Sequence, residues 1–447
     1  MILPKTEMID TNKHTNQEKQ SQEITADEQK QIDYLMSGKA EILPGGQKVL
    51  LQKIRKAKSE KRPLRVKLGI DPTGADLHLG HTVCLQALRR FQDLGHQAVL
   101  IIGGFTAQLG DPTGRNEARP PLTSEQVKQN AETFLDQVKR VLDLSKVEVV
   151  NNADWLSDLK LGEILKLAST TTINQLIAKE AFGERLEQGH PLYVHELFYP
   201  ILQGYDSVIV KSDIEIGGQD QRFNVLAGRD MQKHFEQEPQ IVMLLPLLIG
   251  LDGKKKMSKT SDNYIGLTES PNEIFGKTMS LPDSLLLDWY QLVNSSSPEE
   301  IELIKNQLAE GANPRDIKMN LASKLVELYY SSHEAQAAKE DFIAKFQKRE
   351  IPAEIPKQQF VSGTSSTTML LDLGWVQSKG EAKRLIQNGG IRINEQKISE
   401  DIPLRNGDIV QMGKRKFMQA EILEKSEASK WLSQSVTGTN SLDGLIN

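Results

Sequence analysis

Apolar and polar positions follow two rhythms along the 447-residue chain, and the change of rhythm divides it. Between residues 64 and 264, short apolar runs at 64–70, 98–103, 147–150, 214–216 and 240–245 alternate with stretches whose apolar residues lie three and four apart, at 82–94, 124–142, 162–167, 195–208 and 219–234. Runs apolar on both faces predict parallel strands covered on each side, and the intervening spacing predicts helices. The alternation predicts an α/β fold, a Rossmann-like doubly wound parallel sheet, which binds ligands at the carboxyl ends of its strands. Asp71, Thr106, Asp111, Asn151 and Gly217 all follow such ends.

Outside that region the pattern changes. Residues 1–30, rich in Lys, Glu, Gln, Thr and Asn, hold too little apolar surface to pack and read as a mobile tail. Residues 31–60 show helical spacing in places, including 48–56, and join the first domain, drawn as 31–270. Over 271–348 the strand rhythm disappears, and runs such as 298–308 and 316–330 predict a helical domain. Pro352, Pro356 and the Ser/Thr/Gly stretch at 362–368 mark a linker over 349–368. A small α+β unit is predicted over 369–424, with helices at 369–373 and 379–387, the pair Gly389-Gly390, and strands at 391–394, 409–412 and 417–422. Residues 425–447 read as a C-terminal tail.

Composition narrows the possibilities. Hydrophobic residues at 38%, charged residues at 26% and a net charge of -5 describe an ordinary globular chain and exclude a uniformly basic nucleic-acid binder, so any nucleic-acid contact must be local. A single cysteine, Cys84, allows no intramolecular disulfide and no cysteine cluster for zinc; within its apolar run it reads as a packed small residue. The longest apolar runs, 98–105 and 241–251, are shorter than the roughly 18 residues a membrane helix needs, and the N-terminus lacks an apolar targeting core, so a cytoplasmic protein with no membrane partner is expected.

Two stretches carry the candidate chemistry. Residues 72–81 (PTGADLHLGH) run from a predicted strand through glycines into a predicted helix, and free N–H groups at a helix N-terminus make an anion site. His78 and His81, three apart, share one face of that opening turn. By themselves they could be metal ligands, capping groups or donors to phosphate; H-E-x-x-H is absent and no metal site is expected. Far downstream, Lys256-Met257-Ser258-Lys259-Thr260 brings two ammonium groups in a loop that, taken alone, could be plain surface. No G-x-G-x-x-G follows a strand and no G-x-x-x-x-G-K-[ST] occurs, which excludes NAD and P-loop readings. Tyr199, Gln203 and Asp206 stand on one predicted helix at spacings of four, three and seven and project on one face, whether solvated or facing a site.

HLGH followed by KMSKT resembles the paired signatures of class I aminoacyl-tRNA synthetases. The intervening GGFT at 103–106, LGDPTGR at 109–115, YPILQGYD at 199–206 and GGQDQ at 217–221 resemble the tyrosyl-tRNA synthetases, in their order, over residues 64–424. That resemblance implies ATP, Mg²⁺, L-tyrosine and tRNA(Tyr) as ligands, no DNA, and a homodimer. It implies that His78, His81, Lys256, Lys259 and Thr260 act on the triphosphate as pyrophosphate leaves. ATP would also meet Asp71, Thr73 and Gly80 at the first motif, Gly218 and Asp220 at a later strand end, and Met257 and Ser258 in the lysine loop. Tyrosine would meet Asp206 through its hydroxyl, and Tyr199, Gln203 and Asp111 through its ammonium, with Gln221 and Thr106 nearby. The helical domain would bind the anticodon. The C-terminal unit resembles an S4-type RNA-binding domain, implying tRNA contacts at Lys383, Arg384 and Arg392, with Arg115 in the first domain.

The chain departs from the best-known bacterial pattern at Lys67-Leu68, where many relatives carry an aromatic residue and a cysteine. One hydroxyl or ribose contact is thereby lost, more weight falls on Asp206, and the less familiar of two bacterial subgroups is indicated. Thr260 replaces the commoner serine and keeps the hydroxyl. A tryptophanyl enzyme would share both nucleotide signatures but would not be expected to keep Asp206 or the C-terminal unit. A non-catalytic descendant would be expected to lose the motifs, which stand intact.

Overall fold

The computed structural model describes residues 24–111, 113, 122–178, 180–294, 296–346, 355–394, 396–413 and 416–423. They form two compact units, divided between Phe342 and Ile343.

The first unit is built on six strands: β1 (Glu41–Leu43), β2 (Arg65–Ile70), β3 (Gln97–Ile102), β4 (Val147–Asn151), β5 (Ile214–Gly218) and β6 (Ile241–Leu245). Their order is β1-β6-β5-β2-β3-β4, parallel throughout except for β1, which runs antiparallel along β6. The order reverses between β2 and β5, and a doubly wound sheet opens its ligand crevice at such a switch point. Strand β1 did not stand out in the sequence, because three residues before Pro44 are too few to show a period.

The predicted helices are present with shifted ends. The first motif leads into Leu79–Asp93, three residues earlier than its apolar run begins, because His78 caps it. The long crossover helices are Ser124–Val138, Val194–Ile209 and Arg222–His234. Residues 1–30 are not uniformly a tail: Ala26–Leu35 is a helix, with Thr25 and Glu28 forming a capping box and Ile32 and Leu35 buried. Two buried apolar residues three apart were enough to dock it, despite polar surroundings. Residues 1–23 lie outside the described residues.

Between 271 and 346 the chain is helical, with Pro271–Met279, Leu286–Val293, Pro298–Ala309, Pro314–Tyr329 and Ser332–Phe346. One hydrophobic core runs from Ile32 to Ala338, so the line drawn at residue 270 passes through continuous packing. Trp289 and Tyr290 are fully buried in it, and Cys84 packs against it. Polar ties reinforce the contact with the motif-bearing helix: Gln86 Nε2 donates to the Val293 carbonyl at 2.7 Å, and Tyr329 Oη to Thr82 Oγ1 at 3.2 Å. The first motif thus stands on a helix clamped between sheet and helical layer.

The second unit contains β7 (Lys357–Val361), β8 (Ile391–Ile393), β9 (Gln396–Lys397), β10 (Ile409–Met412) and β11 (Lys416–Leu423), in the order β7-β11-β10-β8-β9, with helices Ser366–Asp372 and Lys379–Gln387. The predicted linker is therefore corrected. Residues 357–361 pair in parallel with β11 and bury Phe360, and Ser365 caps a helix that begins within the presumed linker. A strand with one inward side chain, preceded by prolines, carries almost no apolar signal. Residues 424–447 lie outside the described residues.

Candidate active site

The first motif folds into a capped helix start. His78, extended, accepts the Gly80 N–H on Nδ1 at 3.2 Å, and its own N–H donates to His81 Nδ1 at 3.1 Å. Each ring uses Nδ1 as acceptor, so each carries its proton on Nε2 and offers that N–H as a donor. The rings lie 3.9 Å apart between centroids. Burial, then the neighbouring imidazole and Lys259, lowers His78 to about 2; burial, with Lys259, lowers His81 to about 4. Both are neutral donors at pH 7.

The second motif lies against the first. Leu79 N–H donates to the Ile265 carbonyl at 3.0 Å and Leu267 N–H to the Leu77 carbonyl at 2.9 Å, stitching the chain after KMSKT to the HLGH turn. Met257 is buried beside Gly80. Lys259 Nζ stands 3.7 Å from Asp76 Oδ2 and close over Gly74, while Lys256 Nζ donates to Asp220 Oδ2 at 2.7 Å. Asp220 follows Gly218, where β5 ends. Ser258 Oγ donates to Ser261 Oγ at 3.0 Å and shapes the loop, whereas Thr260 and Thr73 are exposed.

A second cluster of polar groups fills the carboxyl ends of β2 to β5. Asp71, just after β2, accepts Thr106 Oγ1 and Tyr199 Oη, each at 2.8 Å. Gly103 is required there, since a Cβ would lie 1.9 Å from Asp71 Oδ1. Gln221 Nε2 donates to Asp111 Oδ2 at 2.6 Å, and Gln203 Nε2 to Glu215 Oε1 at 3.0 Å. Asp206 is 4% exposed and accepts Trp155 Nε1 at 2.9 Å and Asn152 Nδ2 at 3.3 Å. Burial pushes its carboxyl up to about 7, against the opposing pull of Lys67 and these two donors.

Of the first-unit residues named from the sequence, the structure links Lys259 to Asp76, Lys256 to Asp220, Asp71 to Thr106 and Tyr199, and Gln221 to Asp111, while Gln203 bonds Glu215 and Asp206 bonds Asn152 and Trp155; Arg115 lies outside the described residues. Asn152, Trp155, Lys67 and Glu215 were missed as site residues. The first two sit in NADW at 152–155, directly after β4, and position behind a strand end was their only signal. In the second unit, Lys383 and Arg384 are exposed on the helix before the glycine pair, and Arg392 is half-buried on β8.

A family model described as tRNA synthetases class I (W and Y) matches residues 58–347. Tyrosine–tRNA ligase 2 of Vibrio cholerae is 45% identical over 387 residues, 86% of this chain and 96% of its own. This chain belongs to the tyrosine–tRNA ligase family. The Carboxydothermus hydrogenoformans tyrosine–tRNA ligase is likewise 45% identical over 408 residues, 89% of this chain and 98% of its own. Among solved structures, a C-terminally truncated mitochondrial tyrosyl-tRNA synthetase of Aspergillus nidulans superposes with a TM-score of 0.58 at 20% identity, covering 72% of this chain and all of that one, a likeness of fold.

Proposed function

We propose that the protein activates L-tyrosine with ATP to tyrosyl-adenylate and pyrophosphate, then transfers the tyrosyl group to the 3′-terminal adenosine of tRNA(Tyr), in the cytoplasm. The observation that carries this reading is a buried carboxylate, Asp206, bonded by Asn152 and Trp155 just after β4 of the same sheet whose β2–helix turn presents two neutral imidazoles near Lys259.

The amino acid would be read at both ends. Asp206, with two protein donors already in place, accepts the phenolic hydroxyl; a site built to hydrogen-bond a hydroxyl rejects the analogue lacking it, a rule for which tyrosyl-tRNA synthetases are themselves the standard illustration. Tyr199 donates its one O–H to Asp71, so its oxygen lone pairs remain acceptors for the α-ammonium, beside Gln203 Oε1 and Asp111. The tyrosine carboxylate then attacks the α-phosphorus, the bond to the β-phosphate bridging oxygen breaks, and pyrophosphate leaves with that electron pair. The Nε2–H groups of His78 and His81 meet phosphate oxygens, the N–H groups of Leu79, Gly80 and His81 being already bonded to Ile265 and His78, and Lys256 and Lys259 follow the growing charge on the leaving group. Thr73, Gly218, Asp220, Met257, Ser258 and Thr260 would shape the nucleotide end.

Mg²⁺ would enter as part of the Mg·ATP substrate. Among the described residues no group of three or more His, Cys, Asp and Glu side chains is placed to hold a resident ion. We assign tRNA contacts to Lys383, Arg384, Arg392 and Arg115, and anticodon binding to 271–348. The homodimer is supported by the segment between Leu161 and Val194, where Leu161 is 71% and Val194 70% exposed and Leu165, Ile173, Leu186 and Tyr193 are exposed with them. Light scattering should give twice the chain mass for the wild type and a single chain mass for Leu165→Asp.

Incubation with ATP, Mg²⁺ and tyrosine should release pyrophosphate and leave tyrosyl-adenylate detectable by mass spectrometry, and added tRNA(Tyr) should convert it to acid-precipitable tyrosine. Absence of adenylate contradicts the reading.

A further inference from the structure

Strand β2 sends Val66 and Leu68 into the core and Lys67 to the opposite face, beneath the helix Val194–Ile209, where it is 1% exposed. Its in-register neighbour on β5 is Glu215, also 1% exposed. Charges buried in the centre of a sheet persist only when fully paired. Lys67 Nζ has three donors and three partners: Ser207 Oγ at 2.6 Å, the Gln203 carbonyl at 3.2 Å and Glu215 Oε1 at 3.3 Å. Glu215 accepts from Gln203 Nε2 at 3.0 Å, from Ser207 Oγ at 3.2 Å, from Lys67 and from Gln240 Nε2. Gly228 on the neighbouring helix leaves room, since a Cβ there would lie 2.4 Å from Ser207 Oγ.

The pair is saturated, so its effect lies in what it orients. A carboxylate only accepts, so Glu215 demands the amide nitrogen of Gln203 and leaves Gln203 Oε1 as the acceptor that side chain offers. Lys67, bonded to Ser207 next to Asp206 in the chain, places there a positive charge that favours the ionised carboxylate against the cost of burial and is partly offset by Glu215. An apolar pair of similar volume would be no less stable in such a place, but it would orient nothing.

We propose that the buried Lys67–Glu215 pair is a positioning element of the amino-acid site, in which Glu215 sets Gln203 as acceptor for the substrate ammonium and Lys67 holds Asp206 as acceptor for the phenolic hydroxyl. The proposal rests on the tyrosine reading of the site given above. Neither residue touches substrate; each acts through its neighbour on one helix.

Calorimetric titration with tyrosine, phenylalanine and 3-(4-hydroxyphenyl)propionate, which lacks the amine, separates the two ends. Lys67→Met should weaken tyrosine by about tenfold and phenylalanine distinctly less, because the charge favouring the Asp206 carboxylate is lost while Glu215 still takes the Gln203 amide. Glu215→Gln, whose amide can also donate, releases Gln203; it should weaken tyrosine and phenylalanine by about tenfold and spare the amine-free acid. Equal losses across the three ligands, or no loss, overturn the proposal. Should either variant fail to fold, Ser207→Ala removes the hydroxyl shared by both charges with little change in packing; it should reproduce both selective losses in weaker form, and uniform behaviour overturns the proposal equally. Failure of the wild type to bind tyrosine overturns the reading of the site, and the pair's role with it.

Discussion

At the scale of single residues, protonation is set by burial and by partners. His78 and His81 were legible as a pair, but their tautomer and neutrality were not, because both depend on which backbone N–H meets Nδ1. With His81 lowered to about 4, its ring resonances should stay flat between pH 8 and 5.5 in an NMR titration; a midpoint at 6.5 would contradict the geometry. Asp206 works in the opposite sense. Its folded value, about 7, lies above the unfolded one, so the native state holds the extra proton between about 4 and 7 and stability falls as pH rises through that window. Urea melts of Asp206→Asn should therefore gain on the wild type with rising pH, by at most about 1.4 kcal/mol per pH unit, while tyrosine affinity is lost. Lys259→Ala should lower the rate of adenylate formation by about 10²- to 10³-fold with little change in tyrosine binding, as for the loss of one transition-state donor. Equal loss in both would argue for a structural role.

Elements were legible in proportion to their apolar content. Strands β3 and β6 are buried on both faces and stood out as continuous runs, β2 showed Val66 and Leu68 alternating with Arg65 and Lys67, and β1 and β7 have three and five residues and a single buried side chain each. Helix starts were displaced where an unusual residue caps them, as His78 does. Contacts made by position after a strand end, such as Asn152 and Trp155 on Asp206, have no period to reveal them. The tight turn after β3 gives an element-scale test. Gly103→Ala forces a Cβ to within 1.9 Å of Asp71 Oδ1, so Asp71 must leave Thr106 and Tyr199. A loss of about 1–3 kcal/mol in denaturant stability is expected, with weakened tyrosine binding; an unperturbed variant would mean that this cluster is not tightly built.

For the whole molecule, the sequence conveyed the α/β, helical and C-terminal segments but not how the core joins the first two. That core is continuous from Ile32 to Ala338, tied to the helix carrying HLGH by Val293 at Gln86 and Tyr329 at Thr82, and such long-range contacts leave no local pattern. The second unit begins at Ile343 and its sheet includes β7, so a clean truncation removes 347–447 rather than 369–447. That truncation should keep pyrophosphate exchange and lose most tRNA charging; loss of exchange would contradict the assignment of activation to the first unit.

The central claim is that motifs some 180 residues apart in sequence converge with Asp206 on a single site that activates tyrosine. ATP–pyrophosphate exchange measured with each of the twenty amino acids in turn tests it most directly. Exchange with tyrosine and with no other is the predicted result, and silence with tyrosine or exchange with tryptophan alone would contradict it.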